Sequence, residues 1–118
     1  MRLYIDDLRK CPEGWTLART ITEAIRLLAS GYVTEVSCDH DIIACPKVCC
    51  SQRMGEETYQ PVAYYLACMP KELRPTIINF HTANPAGAMR MQGILKDAGI
   101  DSTYNEGSGT FEWGEDVK

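Results

Sequence analysis

Short apolar runs alternating with amphipathic helical stretches predict an α/β fold for this 118-residue chain, a small three-layer sandwich around a mainly parallel five-stranded sheet. Two observations support that class. The alternation is regular, with each strand-like run followed by polar or turn residues before the next helix. The chain's acids and imidazoles also gather just after three of these runs. Asp6-Asp7 follows Arg2 to Ile5, Asp39-His40-Asp41 follows Glu35 to Cys38, and His81-Thr82-Ala83-Asn84-Pro85 follows Ile77 to Phe80. In open parallel sheets, ligands bind outside the carboxyl ends of the strands, near the point where strand order reverses. One shared pocket is therefore expected.

Residues 2–5 read as a buried strand, and residues 7–14, rich in Asp, Arg, Pro and Gly, as a loop. Trp15 to Arg19 suits a short strand. Thr20-Ile21-Thr22-Glu23 is a capping box that opens a helix carrying Ala24, Ile25, Leu27 and Leu28 and ending at Gly31. A strand follows at 34–38. Residues 42–55 form a long connection holding Lys47 and Arg53. The stretch 56–69 reads as a helix with Val62, Tyr65, Leu66 and Met69 on one stripe, and with Pro61 in its opening turn. Thr76 to Phe80 is a strand. Pro85 precedes a helix with Met89, Met91, Ile94, Leu95 and Ala98 as its apolar set, ending at Gly99. A short strand near 102–105 and a Gly-rich polar tail close the chain, which is expected to be one domain over 1–118.

The apolar fraction of 45% and charged fraction of 24% are those of an ordinary globular domain. No apolar run approaches the ~20 residues needed to cross a bilayer, and no basic stretch with an apolar h-region opens the chain, so neither a membrane span nor a signal peptide is expected. A net charge of −4 argues against a broad grip on duplex nucleic acid, but not against a small anionic ligand or a strand end. The six cysteines stand at 11, 38, 45, 49, 50 and 68. Their spacing has no CxxC pair for zinc, and a disulfide scaffold does not fit a chain without a secretory signal. Reduced thiols in a cytoplasm are expected, with Cys38 and Cys68 as small core residues and no assigned role for Cys45, Cys49 and Cys50.

The order of elements and the acidic strand ends resemble a receiver domain, the phosphoacceptor module of two-component signalling, with a flavodoxin-like fold. Asp6 and Asp7 match the acidic pair that binds magnesium in receivers, Asp39 the phosphoacceptor, and Thr82-Ala83 the site after strand four. The chain departs from receivers in several places. The stretch before Trp15 is too short for a full crossover helix, so the first helix is degenerate, and the final helix is absent. No lysine follows the last strand, where Ser102-Thr103-Tyr104-Asn105 stands. His40, Asp41, His81 and Asn84 are added. The altered set, Asp6-Asp7-x-Arg9, Asp39-His40-Asp41 and His81-x-x-Asn84-Pro85, is similar to the cyclic-phosphate processing receiver family, although Ile42-Ile43 stands where that family usually has Leu-Gly. The resemblance implies a bacterial or phage protein acting on cyclic phosphates, at an RNA 2′,3′-cyclic phosphate end or on a cyclic nucleotide.

The residues suit that chemistry. Asp6, Asp7 and Asp39 are oxygen donors for magnesium or manganese, and no organic cofactor is expected. As imidazoles, His40 and His81 can serve as a base and an acid, with Asp39 and Asp41 beside them in the catalytic set. Arg9 can pair with phosphate oxygens, and Thr82 and Asn84 can orient substrate. Plainer readings exist for each: Asp6-Asp7 as a loop cap, Arg9 as a surface charge, Thr82 as a backbone-bonding residue and Asn84-Pro85 as a helix start. Three functions remain open at this level. The first is a phosphoesterase acting on a phosphorylated nucleotide or RNA end. The second is a binding or sequestering module for such a ligand, without catalysis. The third is a phosphorylatable receiver, which the missing lysine makes the weakest. Nothing in the pattern fixes an oligomeric state.

Overall fold

The computed structural model describes residues 1–41 and 58–105. The described chain runs β1 (Arg2–Ile5), β2 (Thr16–Ala18), α1 (Ile21–Ala29), β3 (Glu35–Cys38), α2 (Gln60–Cys68), β4 (Ile77–Phe80), α3 (Pro85–Asp97) and β5 (Thr103–Tyr104). The strands form one five-stranded sheet in the order β2-β1-β3-β4-β5, with every pair parallel. Leu3 lies beside Val36 and Val36 beside Ile78, so the ends of β1, β3 and β4 are level. The chain moves outward from β1 to β2 and then crosses back to β3. The order therefore reverses between β1 and β3, where Asp6-Asp7 and Asp39 emerge.

Strand alternation sends Leu3, Ile5, Val36, Cys38, Ile78 and Phe80 to one face, where all are buried. All three described helices pack on that face. Ala24 and Leu28 of α1, Val62, Ala63 and Leu66 of α2, and Ala88, Met91 and Leu95 of α3 join the same apolar cluster. The opposite face carries Arg2, Tyr4, Glu35, Ser37, Ile77 and Asn79, and no helix among the described residues covers it. Parallel sheets are usually covered on both sides. The described residues thus supply two layers of the expected three-layer sandwich. The β1–β2 connection is too short for a helix, and the described chain ends just after β5.

Local chemistry accounts for the helix boundaries. The Thr20 hydroxyl accepts from the Glu23 N–H at 3.1 Å while the Glu23 carboxylate accepts from the Thr20 N–H at 3.3 Å, the expected capping box. Gly31, with φ of 81°, ends the turn after α1 in a conformation that costs other residues more. Helix α2 begins at Gln60, not near 56. Pro61 belongs in a first turn, and Thr58 is bridged antiparallel to Asp41. Two packing expectations are corrected. Cys68 is exposed, one helical turn from the exposed Tyr64, and is not a core residue. Met89 is 65% exposed and Ala98 is also exposed, so the buried stripe of α3 is Ala88, Met91 and Leu95. The connection carrying Cys45, Lys47, Cys49, Cys50 and Arg53 lies outside the described residues. No helix among the described residues is long and apolar enough to cross a membrane.

Candidate functional site

Asp6 is the hub of the strand-end cluster. Its Oδ1 accepts from the N–H groups of Leu8 and Arg9, both at 2.9 Å, which turns the chain sharply out of β1. Its Oδ2 accepts from Arg9 Nη1 at 2.9 Å and from His81 Nε2 at 2.8 Å. Four donors thus converge on one buried carboxylate. Burial pushes the Asp6 carboxyl up, but the bonds from His81, from the N–H and guanidinium of Arg9, and from the Leu8 N–H outweigh it and hold the group well below the usual carboxylate range. An ionised carboxylate only accepts, so this arrangement places a proton on His81 Nε2.

Asp39 lies across from it and behaves oppositely. Its Oδ1 accepts from the His40 N–H at 2.7 Å, and its Oδ2 sits 3.3 Å from the same Arg9 Nη1. Burial and the neighbouring Asp6 charge raise its pKa despite the His40 N–H and the positive charge of Arg9. Arg9 therefore bridges two buried carboxylates and is not a solvated surface charge. Asp6, Asp7 and Asp39 offer oxygen atoms that all lie within 4.8 Å of one another. A hard divalent cation suits such donors in kind and spacing, although Asp6 could take one only by giving up or sharing a present donor.

The two imidazoles approach the acids from different sides. His81 stands over the sheet face that no described helix covers, stacked on Tyr4 with ring centroids 4.5 Å apart and planes 3° from parallel. Its Nδ1 lies 2.6 Å from the Ser37 hydroxyl. Ser37 in turn accepts from Asn79 Nδ2 at 3.3 Å, and Asn79 Oδ1 accepts from the Thr103 hydroxyl at 2.8 Å. A polar line thus crosses β5, β4 and β3 before reaching Asp6 through His81.

His40 lies on the helix side. Its Nδ1 is 2.7 Å from Asp41 Oδ1, and its Nε2 is 3.4 Å from the Gln60 side-chain nitrogen at the start of α2. The ring is packed so closely over Gly87 of α3 that a Cβ there would come within 2.5 Å of it. Asn84 caps α3 by accepting from the Gly87 N–H at 3.0 Å, and its amide nitrogen lies 3.4 Å from both Asp41 oxygens. Thr82 is buried, its hydroxyl accepting from the Asn84 N–H at 3.2 Å, so it shapes the turn between β4 and α3.

Asp6, Asp7, Arg9, Asp39 and His81 thus form one cluster. Asp41, His40 and Asn84 form a second, joined to the first through the Asp39–His40 peptide. Ser37, Tyr4, Gln60, Tyr59 and Gly87 were not expected from the sequence. Ser37 and Tyr4 each lie two positions before a strand-end acid, on the same side of the strand, and that spacing was the available signal. Gln60, Tyr59 and Gly87 gave none. Tyr59 is fully buried, donating its N–H to the His40 carbonyl at 2.8 Å and its hydroxyl to the Arg19 carbonyl at 2.6 Å. It ties the Asp39-His40-Asp41 stretch to the edge of β2.

Fold and site together define a receiver-like α/β domain in which imidazoles and a guanidinium surround the strand-end acids, and in which Asn105 stands after the last strand where receivers carry lysine. The chain belongs to the cyclic-phosphate processing receiver domain family, whose model matches residues 1–97. That span includes both clusters. No curated protein and no solved structure matches the chain.

Proposed function

We propose that this protein is a phosphoesterase that opens a cyclic phosphate, carried by an RNA 2′,3′-cyclic end or a cyclic nucleotide. Family membership supports the class of ligand. The observation that carries the reading is the position of Arg9 and His81, both held on one Asp6 oxygen beside Asp39. A phosphoryl group entering at this point meets a fixed positive charge and an imidazole without any need to order them first, which favours the charge-rich transition state.

In this reading Arg9 neutralises phosphoryl oxygens, and the two imidazoles divide the proton transfers. Asp41 orients His40 through Nδ1, which leaves Nε2 to take a proton from the attacking water. As general acid His81 would act in its doubly protonated form, with Nδ1–H donated to Ser37 and the Nε2 proton passing from Asp6 to the departing sugar oxygen. Asn84 steadies Asp41 and hence His40. Asp6, Asp7 and Asp39 would hold magnesium or manganese, which when bound would polarise the phosphoryl group.

Hydrolysis of the ribonucleoside 2′,3′-cyclic monophosphates is the direct test. His40→Ala and His81→Ala should each lower turnover by roughly a hundredfold or more. Turnover should also respond to added magnesium or manganese and to its removal by chelation. Unchanged turnover in both histidine variants rules out the mechanism. Saturable binding with quantitative recovery of intact ligand would instead favour the binding or sequestering module.

A further inference from the structure

The sheet face that no described helix covers holds a groove of about 370 Å³, lined by Tyr4, Trp15, Ser37, Asn79, Thr103 and His81 among others. We propose that this groove binds the nucleoside of the ligand, so that the substrate class is a single nucleoside bearing a cyclic phosphate. This rests on the phosphoesterase reading above for the position of the phosphate.

Continuity is the first argument. His81 belongs to the groove and to the acid cluster at once, bonded to Ser37 on one side and Asp6 on the other. A phosphate at Arg9 and His81 therefore leaves its sugar and base facing the groove. The volume is the second. It lies at the small end of small-molecule sites, roughly 300–1,000 Å³, enough for one nucleoside but not a run of nucleotides.

The lining is the third argument. Trp15 is braced edge-on by Tyr4, with centroids 6.1 Å apart, and carries the Arg2 guanidinium 5.7 Å from its ring centroid. An aromatic side chain held in this way suits a base, because little freedom remains to be lost on stacking. The floor of Ser37, Asn79 and Thr103 offers hydroxyl and amide groups for ribose and base edges. Glu35 is the carboxylate of the described lining, and Arg2 at its edge pairs with it at 3.4 Å. With that pair balanced, the rest of the described lining is largely aromatic, hydroxyl and amide, which suits an uncharged base and sugar.

The test is titration of the ¹⁵N-labelled protein with three probes: ribonucleoside 2′,3′-cyclic monophosphates, the free nucleosides, and methyl riboside 2′,3′-cyclic phosphate, which lacks a base. The nucleoside cyclic phosphates should bind at least tenfold more tightly than the abasic probe and shift the signals of Trp15, Asn79 and Thr103. Trp15→Ala should remove that advantage. Thr103→Val, which keeps strand shape, should reduce it, and the same spectra report whether either variant is folded. Equal affinity with and without the base, or shifts confined to Asp41 and Gln60, would overturn the groove and leave the phosphate site standing. Shifts in the groove with free nucleosides, without any binding of a cyclic phosphate, would uphold the groove and sink the phosphoesterase reading.

Discussion

Asp6 and Asp39 carry the same side chain a few ångströms apart, yet their surroundings drive them in opposite directions. Four donors hold Asp6 ionised, so its contribution to stability is present above the unfolded carboxylate value of ~3.9 and is lost as pH falls through its depressed folded value. Asp39, raised by burial and by Asp6, favours the fold below ~3.9, and that contribution is lost as pH rises through its folded value. The two asparagine variants should therefore differ. Asp6→Asn places an amide donor against His81 and Arg9 and takes from the buried guanidinium one of its carboxylate partners, which should cost about 3–5 kcal/mol. Asp39→Asn should leave the melting temperature at pH 7 unchanged or raise it, and should flatten the decline in stability above pH ~4. Thermal denaturation across pH distinguishes the two, and equal losses in both would contradict this account of the cluster.

At the level of elements, the N-terminus of α3 sets the position of His40. Gly87 lies in the first turn, where its missing side chain admits the imidazole. On helix propensity alone, Gly87→Ala should stabilise the protein by about 1 kcal/mol. Contact with the ring should cancel that gain and displace His40 from Asp41. The expected result is a loss of turnover comparable to that of His40→Ala, with no gain in melting temperature, while Gly93→Ala, with open space at its Cβ, should gain stability and keep activity. The helices themselves were legible in the sequence, because Thr20, Glu23, Pro61, Asn84 and Pro85 act through their own backbone neighbours. The start of α2 was misplaced because its limit is a tertiary pairing, Thr58 with Asp41, that no local pattern encodes. Cys68 was misassigned for a related reason. A small apolar residue near the end of a helix can face either way, and packing on the sheet decides which.

At the scale of the whole molecule, the described residues put every helix on one side of the sheet. Adjacent residues of β4 should therefore respond very differently to substitution. Ile78 is buried beneath the helices, and Ile78→Ala should cost about 2–4 kcal/mol. Ile77 is 52% exposed on the other face, and Ile77→Thr should change stability by less than about 1 kcal/mol. Chemical denaturation of the pair measures this asymmetry directly, and a similar cost at both positions would mean that the second face is covered.

The parallel α/β class, the succession of strands and helices along the chain, and the residues that gather at the carboxyl ends could be read from the sequence, because they depend on period, caps and punctuation within a few residues. Folding decided the rest. Arg9 came to bridge Asp6 and Asp39 across two strands. His81 acquired Ser37 and Tyr4 from neighbours more than forty positions away in sequence. The two imidazoles came to flank the acids from opposite faces of the sheet. Such pairings depend on register and on which face a side chain takes, and a sheet specifies both only once its strands have assembled.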